Sequence, residues 1–330
     1  MRKVSPFRVI ATRMASSASA SFIAIAFFAT SCCRSIDSLT DERYRVAPAH
    51  SSYVPRAAAY SVDESVETFH DAKRNRDVPV RIYVPHGATP PMPVVVFSHG
   101  IGEDRDSYAW LGRALASHGY VSVHVTHAGT DRAMLKSGYL NLYRATKKKE
   151  NWVNRPLDVS FVLDQLASRR DFDMTRVAVA GHSAGAFTAL AMAGMRPAES
   201  SGELADRRVK VAIAMSMPKL GDAMPARGFD FISIPVLHMT GTCDRSLIYR
   251  TSPRDRRIPF LETNATNEYL VTFKGVNHDV FSNVTDEHHD DIADVTLAFL
   301  DAWMRGDNAA REWLDAGGLA SRRGVAVERK

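Results

Sequence analysis

The stretch that most restricts the fold is VAVAGHSAGAFTAL, residues 177–190. An apolar run typical of a buried strand ends at Gly181, and an Ala-rich stretch typical of a helix follows Ser183. A strand that turns at once into a helix strains the backbone of the residue at the turn. Gly181 and Gly185 lack the Cβ atoms that would block this turn. A plain Gly-Ser turn would fit the same letters, but the pattern is typical of an exposed nucleophilic serine.

The rest of the chain alternates between apolar strands and amphipathic helices. After an edge hairpin, an α/β fold is expected, with a mostly parallel twisted sheet and helices on both faces. The predicted strands are 65–71, 78–85, 93–98, 120–127, 176–181, 209–216, 234–241 and 267–275. The predicted helices are 105–118, 155–169, 184–194, 288–306 and 309–318. Residues 128–154 are predicted to be irregular and basic.

The N-terminus has the order of a secretory signal: basic residues, the apolar run 22–29, and then small residues. The apolar run is too short to span a bilayer, which needs roughly 20 residues. ATSC (29–32) is similar to a bacterial lipobox, although Ala29 stands where a larger aliphatic residue is usual. Lipidation of Cys32, which would tether the protein to a membrane, and plain cleavage both stay open.

These features predict a signal peptide over 1–31, a tether or flexible arm over 32–61, and a catalytic domain over 62–330. The protein is therefore expected to be exported, to the periplasm or cell envelope or as a secreted protein. The formal net charge of +5 falls to +1 without the four basic residues of the leader, so it does not favour a nucleic-acid partner. Cys32 and Cys33 lie at the processing site, so no internal disulfide is predicted, and Cys243 is expected to be a small buried residue.

Reactive residue types follow four of the predicted strands. These segments are HGIG (99–102), GHSAG (181–185), GTCD (241–244) and VNHD (276–279). Because the carboxyl ends of parallel strands share one edge of a sheet, we expect the four segments to lie close together.

A catalytic role for Ser183 needs a base, because a serine hydroxyl is a weak nucleophile by itself. His278 is the best placed of the twelve histidines, since it follows the last long strand and precedes the C-terminal helix. Asp244 is expected to orient the imidazole, with Asp222 as the alternative acid.

An ester carbonyl under attack develops an oxyanion, which main-chain N–H groups can stabilise. The expected donors are Ala184, directly after the serine, and Ile101 in the HGIG loop. No cofactor and no metal are expected: HHDD (288–291) fits a solvated helix start better than a metal site, and KKKE (147–150) fits a solvated loop near the active edge.

The Ser–Asp–His order and these segments resemble the α/β-hydrolase superfamily from about residue 62 onward. More specifically, SHGIGEDRDSYAWLGRALASHGY, THAGTD and AGHSAG are similar to bacterial predicted dienelactone hydrolases, platelet-activating-factor acetylhydrolases and cutinase-like lipases. The resemblance implies a cofactor-free serine esterase that acts on small-molecule or lipid esters.

Two positions depart from those families. Dienelactone hydrolases use cysteine where this chain has Ser183, and the acetylhydrolases carry their acid near the position of Ser216. Asp244 fits the cutinase-like arrangement instead. An amidase or peptidase with the same triad, and a non-catalytic binding protein on this fold, are the alternatives.

Overall fold

A nine-stranded sheet runs through the part of the chain that the structure describes. This computed structural model describes residues 33–47, 53, 57–197, 204–219, 227–246 and 248–330. The strands are β1 Val62–Asp71, β2 Arg76–Pro85, β3 Met92–Ser98, β4 Val121–Val125, β5 Phe172–His182, β6 Val209–Met215, β7 Val236–Gly241, β8 Glu268–Phe273 and β9 Val325–Arg329. Their spatial order is β1-β2-β4-β3-β5-β6-β7-β8-β9. Within this sheet β2 and β9 run in the direction opposite to the other strands, so the pairs β1–β2, β2–β4 and β8–β9 are antiparallel and the rest are parallel.

Helices connect the strands. They are α1 Ala109–Ser117, α2 Arg132–Lys136, α3 Tyr139–Ala145, α4 Lys149–Leu166, α5 Ala184–Ala193, α6 Ile258–Glu262, α7 His289–Met304 and α8 Asn308–Asp315. Within the described residues, no helix combines the length and the apolar character needed to cross a bilayer.

Strand β3 shows why both faces of the sheet are covered. Alternate side chains of a strand point to opposite faces. Val94 and Val96 therefore pack in the apolar cluster that includes α4, whereas Val95 and Phe97 pack in the cluster that includes α1 and α7. All four are buried. The predicted α/β fold, with a mostly parallel sheet between two helical layers, is confirmed.

The region predicted as irregular, residues 128–154, differs from expectation. It holds α2, α3 and the start of α4, which begins at Lys149 and carries Pro156 inside it. Gly138, with a φ of 123°, separates α2 from α3. Helices of five and seven residues are too short to show a clear apolar period, which explains why the sequence pattern did not reveal them.

The described part of the predicted arm, residues 33–47, is attached to the domain. Leu39 is buried, and the Arg34 N–H donates to the Thr242 carbonyl at 3.2 Å. Cys33 forms a disulfide with Cys243, so the expectations of no internal bridge and of a free buried Cys243 were wrong. The predicted signal peptide and Cys32 lie outside the described residues.

Candidate active site

The sheet brings Ser183, Asp244 and His278 to one edge. Ser183 directly follows β5, Asp244 lies three residues after the end of β7, and His278 begins the short 3₁₀ turn after β8. Because β5, β6, β7 and β8 are neighbours and parallel, their carboxyl ends point the same way. Residues far apart in the sequence can therefore touch.

Ser183 occupies a strained turn between β5 and α5. Its φ of 55° and ψ of −116° are unusual for a residue with a side chain. A Cβ on Gly181 would lie 2.3 Å from the Gly185 carbonyl oxygen, and a Cβ on Gly185 would lie 1.8 Å from the Ser98 carbonyl oxygen. Only glycine fits at both positions, and the sharp turn presents the serine hydroxyl at the N-terminus of α5.

The three predicted side chains form one continuous chain of contacts. Ser183 Oγ lies 3.1 Å from His278 Nε2, and His278 Nδ1 lies 2.8 Å from Asp244 Oδ1. If Nδ1 carries the hydrogen and donates it to Asp244, Nε2 is free to accept from Ser183. The alternative acid, Asp222, lies outside the described residues.

Asp244 is fully buried and accepts several hydrogen bonds. Thr240 Oγ1 donates to Oδ2 at 2.9 Å, and the Ser216 hydroxyl donates to the same oxygen. Ser216 stands where the resembling acetylhydrolases carry their acid, so here that position serves Asp244 as a donor. The hydroxyls stabilise the carboxylate inside the protein.

Arg256 is a member of the site that the sequence pattern did not reveal. Its buried guanidinium donates through Nε to Asp244 Oδ1 at 3.1 Å and through Nη1 to the Ser216 carbonyl at 2.6 Å. Its Nη2 lies 3.0 Å from His278 Nδ1. The segment 254–257 contains three arginines, and only the tertiary structure distinguishes the one that faces Asp244.

Burial of the His278 imidazole favours its neutral form. Burial raises the pKa of Asp244, but the charges of Arg256 and His278 outweigh burial and hold that pKa well below its usual range. Burial lowers the pKa of His278; Asp244 opposes this change, whereas the charges of His182 and Arg256 add to it. The net result is a lowered pKa, so His278 can accept a proton near neutral pH.

The two predicted oxyanion donors are main-chain N–H groups. They belong to Ala184, at the first turn of α5, and to Ile101, in the loop after β3. Among the described residues, neither N–H has an acceptor in the protein, whereas the neighbouring N–H of Gly102 donates to the Thr130 carbonyl at 2.8 Å. Both predicted donors are therefore unpaired within the described residues, as oxyanion donors must be before substrate binds.

A cluster of side chains holds the loop that carries Ile101. Glu103 Oε2 accepts the Gly100 N–H at 2.8 Å and also accepts from the Tyr108 hydroxyl. His182 Nδ1 lies 2.6 Å from Tyr108 Oη, and the His182 ring centroid lies 4.6 Å from that of His278. The loop is thus tied to both the strand end of β5 and the start of α1.

Arg155 holds the same loop from below. Its buried guanidinium donates to the His99 carbonyl and, at 2.8 Å, to Thr130 Oγ1. Burial lowers the pKa of Arg155 to about 10. His99 itself accepts the His127 N–H through Nε2 at 3.0 Å and faces the Gly100 carbonyl through Nδ1 at 2.5 Å. These bonds place His99 beneath the loop as a structural residue.

The disulfide adjoins the acid side of the site. Cys243 is the residue immediately before Asp244, and its partner Cys33 comes from the segment that precedes the sheet. The Cys243 N–H also donates to the Val276 carbonyl at 3.0 Å, which links the Asp244 turn to the His278 loop. Within the described ranges, no group of three or more His, Cys, Asp or Glu side chains has an arrangement that could hold a metal ion.

The chain is similar to one known protein family over part of its length. A family model described as chlorophyllase matches residues 54–204, somewhat less than half of the chain. The matched range includes the HGIG loop and the GHSAG turn and ends before Asp244 and His278. No curated protein matches the chain.

The match agrees with the fold. The protein is a carboxylic ester hydrolase of the α/β-hydrolase type, and the predicted enzyme class is confirmed. Over the matched residues it is similar to chlorophyllases, which cleave the ester of chlorophyll. The resemblance to dienelactone hydrolases, acetylhydrolases and cutinase-like lipases stays a prediction.

Proposed function

We propose that this ester hydrolase works through a covalent acyl-enzyme, with Ser183 as nucleophile, His278 as general base and acid, and Asp244 as the group that orients His278. The observation that supports this proposal is the unbroken chain of contacts from Ser183 Oγ through both imidazole nitrogens to Asp244 Oδ1. In this arrangement the imidazole can take the serine proton directly, and the carboxylate holds the imidazole in the orientation that this requires.

Acylation begins when Ser183 Oγ attacks the ester carbonyl carbon and its proton passes to His278 Nε2. The carbonyl oxygen becomes an oxyanion, which the N–H groups of Ala184 and Ile101 stabilise. The carbon–oxygen bond to the alcohol then breaks, and the alcohol leaves with the proton from Nε2. Asp244 stabilises the imidazolium while it exists.

Deacylation repeats these steps with water. A water molecule gives a proton to His278 Nε2 as its oxygen attacks the acyl carbon. The bond to Ser183 Oγ breaks, the serine recovers the proton, and the carboxylic acid leaves. The cycle consumes only ester and water, so it needs no cofactor.

The decisive test is Ser183→Ala assayed with p-nitrophenyl butyrate. We expect kcat to fall by about 10⁴-fold or more, because the oxyanion donors alone support little turnover. The matched control is Ser168→Ala, which changes an exposed serine just before the start of β5, at the end of that strand opposite to Ser183, and should keep full activity. A fluorophosphonate probe should label the control but not Ser183→Ala; unchanged turnover in Ser183→Ala would overturn the assignment.

The substrate class that we propose is a small-molecule or lipid ester. Chlorophyll is the first natural ester to test, because the matched family is described by its cleavage. A p-nitrophenyl ester series of increasing acyl length, run beside aminoacyl amides, separates an esterase from an amidase or peptidase with the same triad. Faster turnover of the amides than of the esters would favour an amidase or peptidase.

We also propose that the protein functions outside the cytoplasm, lipid-anchored at Cys32 or free. The Cys33–Cys243 disulfide supports export, since such bridges persist mainly in oxidising compartments. Mass spectrometry of the mature N-terminus tests both forms: a lipid mass on Cys32 that is lost in Cys32→Ala indicates the anchor. An intact leader in the purified protein would contradict export by cleavage.

A further inference from the structure

An exposed apolar surface lies on the two short helices after β4. Leu135 in α2 is 37% exposed, and Tyr139, Leu140 and Tyr143 in α3 are 62%, 57% and 41% exposed. Residues three and four apart share a face of a helix, so the α3 residues form one apolar patch. Leu142 is buried on the other side of α3 and holds it on the domain.

Positive charge is interleaved with this patch. Residues 132–149 contain no acidic residue, and the next acid along the chain is Glu150. Lys147 Nζ lies 5.0 Å from the centre of the Tyr143 ring. The basic residues of the segment, all exposed, are Arg132, Lys136, Arg144, Lys147, Lys148 and Lys149. Together with Leu135, Tyr139, Leu140 and Tyr143 they make up what we call the α2–α3 face.

The α2–α3 face borders the candidate active site. The Arg132 N–H donates to the Glu103 carbonyl at 3.0 Å, so α2 starts against the oxyanion loop. A Cβ on Gly102 would lie 3.2 Å from Leu142 and 3.3 Å from Leu135 side-chain atoms. An ester held at this surface is therefore next to the loop that carries Ile101.

We infer that the α2–α3 face docks the protein on a lipid bilayer that carries anionic headgroups. Tyrosine and leucine side chains enter the boundary between headgroups and acyl chains, and lysine and arginine side chains meet the lipid phosphates. A second copy of the chain does not suit this face: Arg132 is paired with Asp104 at 2.7 Å, but the other five basic residues of each copy would bring ten positive charges together. A neutral apolar ligand would leave the basic residues without a role.

The experiment measures binding separately from catalysis. The full chain with Ser183→Ala is sedimented with vesicles of phosphatidylcholine alone, or with about 30% phosphatidylglycerol. We expect binding to the anionic vesicles at least about tenfold tighter than to the neutral ones, and weaker binding when salt rises from about 0.1 M to about 0.5 M. Because this variant has no nucleophile, its binding does not depend on the proposed function.

Two variants test the face itself. Tyr139→Ser/Leu140→Ser removes apolar contact, and Lys147→Ala/Lys148→Ala/Lys149→Ala removes charge. Each should weaken binding to the anionic vesicles roughly tenfold or more. All the variants keep the same N-terminus, so a contribution from that segment cancels.

The matched controls lie near the amino ends of the strands, whereas the candidate site lies at their carboxyl ends. Phe231→Ser removes an exposed aromatic ring near the end of α5, where Gly194 approaches the Phe231 carbonyl. A variant with Arg170, Arg207 and Lys210 changed to Ala removes three exposed charges near the starts of β5 and β6. These controls should bind vesicles as tightly as the full chain that carries only Ser183→Ala, which is the parent of all the binding variants.

Turnover of p-nitrophenyl butyrate by the same face variants, with Ser183 present, serves as the folding control and should not change. The inference is overturned if the parent binds neither kind of vesicle, or binds both equally. It is also overturned if the face variants bind as well as the controls, or if the face proves to be a dimer contact that vesicles do not displace.

Discussion

Two polar networks support the candidate site from opposite sides, and they differ in what they hold. The acid-side network consists of Ser216, Thr240, Asp244 and Arg256, together with His278, which they orient. At its centre is a single carboxylate, that of Asp244, and the permanently charged partner of this carboxylate is the guanidinium of Arg256. It holds a charge.

The oxyanion-side network consists of His99, Glu103, Tyr108, Arg155 and His182. Three of its members bond to the main chain of the loop 99–102: Glu103 accepts the Gly100 N–H, Arg155 donates to the His99 carbonyl, and His99 Nδ1 faces the Gly100 carbonyl. The oxyanion-side network therefore fixes the position of the peptide groups of this loop. From this comparison we expect damage to the acid side to change the protonation of His278 most, whereas damage to the contacts that hold the loop 99–102 should act mainly on the rate.

The largest effect is expected for Asp244→Asn. The amide cannot stabilise the imidazolium and favours the wrong imidazole tautomer, so kcat should fall by about 10³–10⁴-fold. Steady-state kinetics with p-nitrophenyl butyrate measures the loss, and circular dichroism checks the fold. A loss of less than about tenfold would mean that another carboxylate, such as Asp222, orients His278.

Removal of the disulfide tests a constraint that only the acid side has. In Cys33→Ser/Cys243→Ser, the free energy of unfolding should fall by roughly 2–4 kcal/mol, because the unfolded chain loses its cross-link. Denaturant unfolding measures this change. Activity of the folded variant should stay within a few-fold of the parent, since Asp244 keeps its other partners; an unchanged midpoint would contradict the bridge.

Glu103→Ala tests the oxyanion side. Without its carboxylate the Gly100 N–H loses its acceptor and the loop that carries Ile101 can move, so kcat should fall roughly 10- to 100-fold. The acid limb of the kcat/KM–pH profile should move less than in Arg256→Met, because Glu103 reaches His278 only through His182. Tyr108→Phe keeps the ring that packs on Phe97 and serves as the milder companion, with an expected loss of a few-fold.

The smallest but most specific effect is expected for Arg256→Met. The charged groups that face His278 are Asp244, Arg256 and His182. Because the positive charge of Arg256 lowers the pKa of His278, its removal should raise that pKa. Activity requires the neutral imidazole, so the acid limb of the kcat/KM–pH profile should move to higher pH.

Arg256→Lys is the matched control, since it keeps the charge and should keep the limb near its original position. An acid limb that moves with Glu103→Ala and not with Arg256→Met would reverse the comparison between the two sides.

Sequence patterns predicted the sheet and the positions of the three central side chains, because each of these depends on local signals. The turn at Ser183 needs its two glycines, and Asp244 and His278 follow directly after apolar strands. Arg256 gave no such signal, since its role depends on which of several nearby arginines folds inward.

The strand β9 and the disulfide were not predicted either, and the reasons are again physical. The strand β9 is short, and its alternating Val325 and Val327 show their meaning only beside β8. The bridge was missed because Cys33 was assigned to the processing site, and nothing local indicates that its partner lies 210 residues away. Pairings across such distances depend on the whole topology.

That separation bears on the order in which the protein matures. In a chain that crosses a membrane N-terminus first, Cys33 emerges early and must wait as an unpaired thiol until about two thirds of the polypeptide has followed it. During that interval the neighbouring Cys32 competes for the same oxidant and the same partner. Attachment of a lipid to Cys32 would block its thiol before Cys243 arrives. Lipidation would thus prevent a wrong Cys32–Cys243 bridge and favour the Cys33–Cys243 bridge beside Asp244.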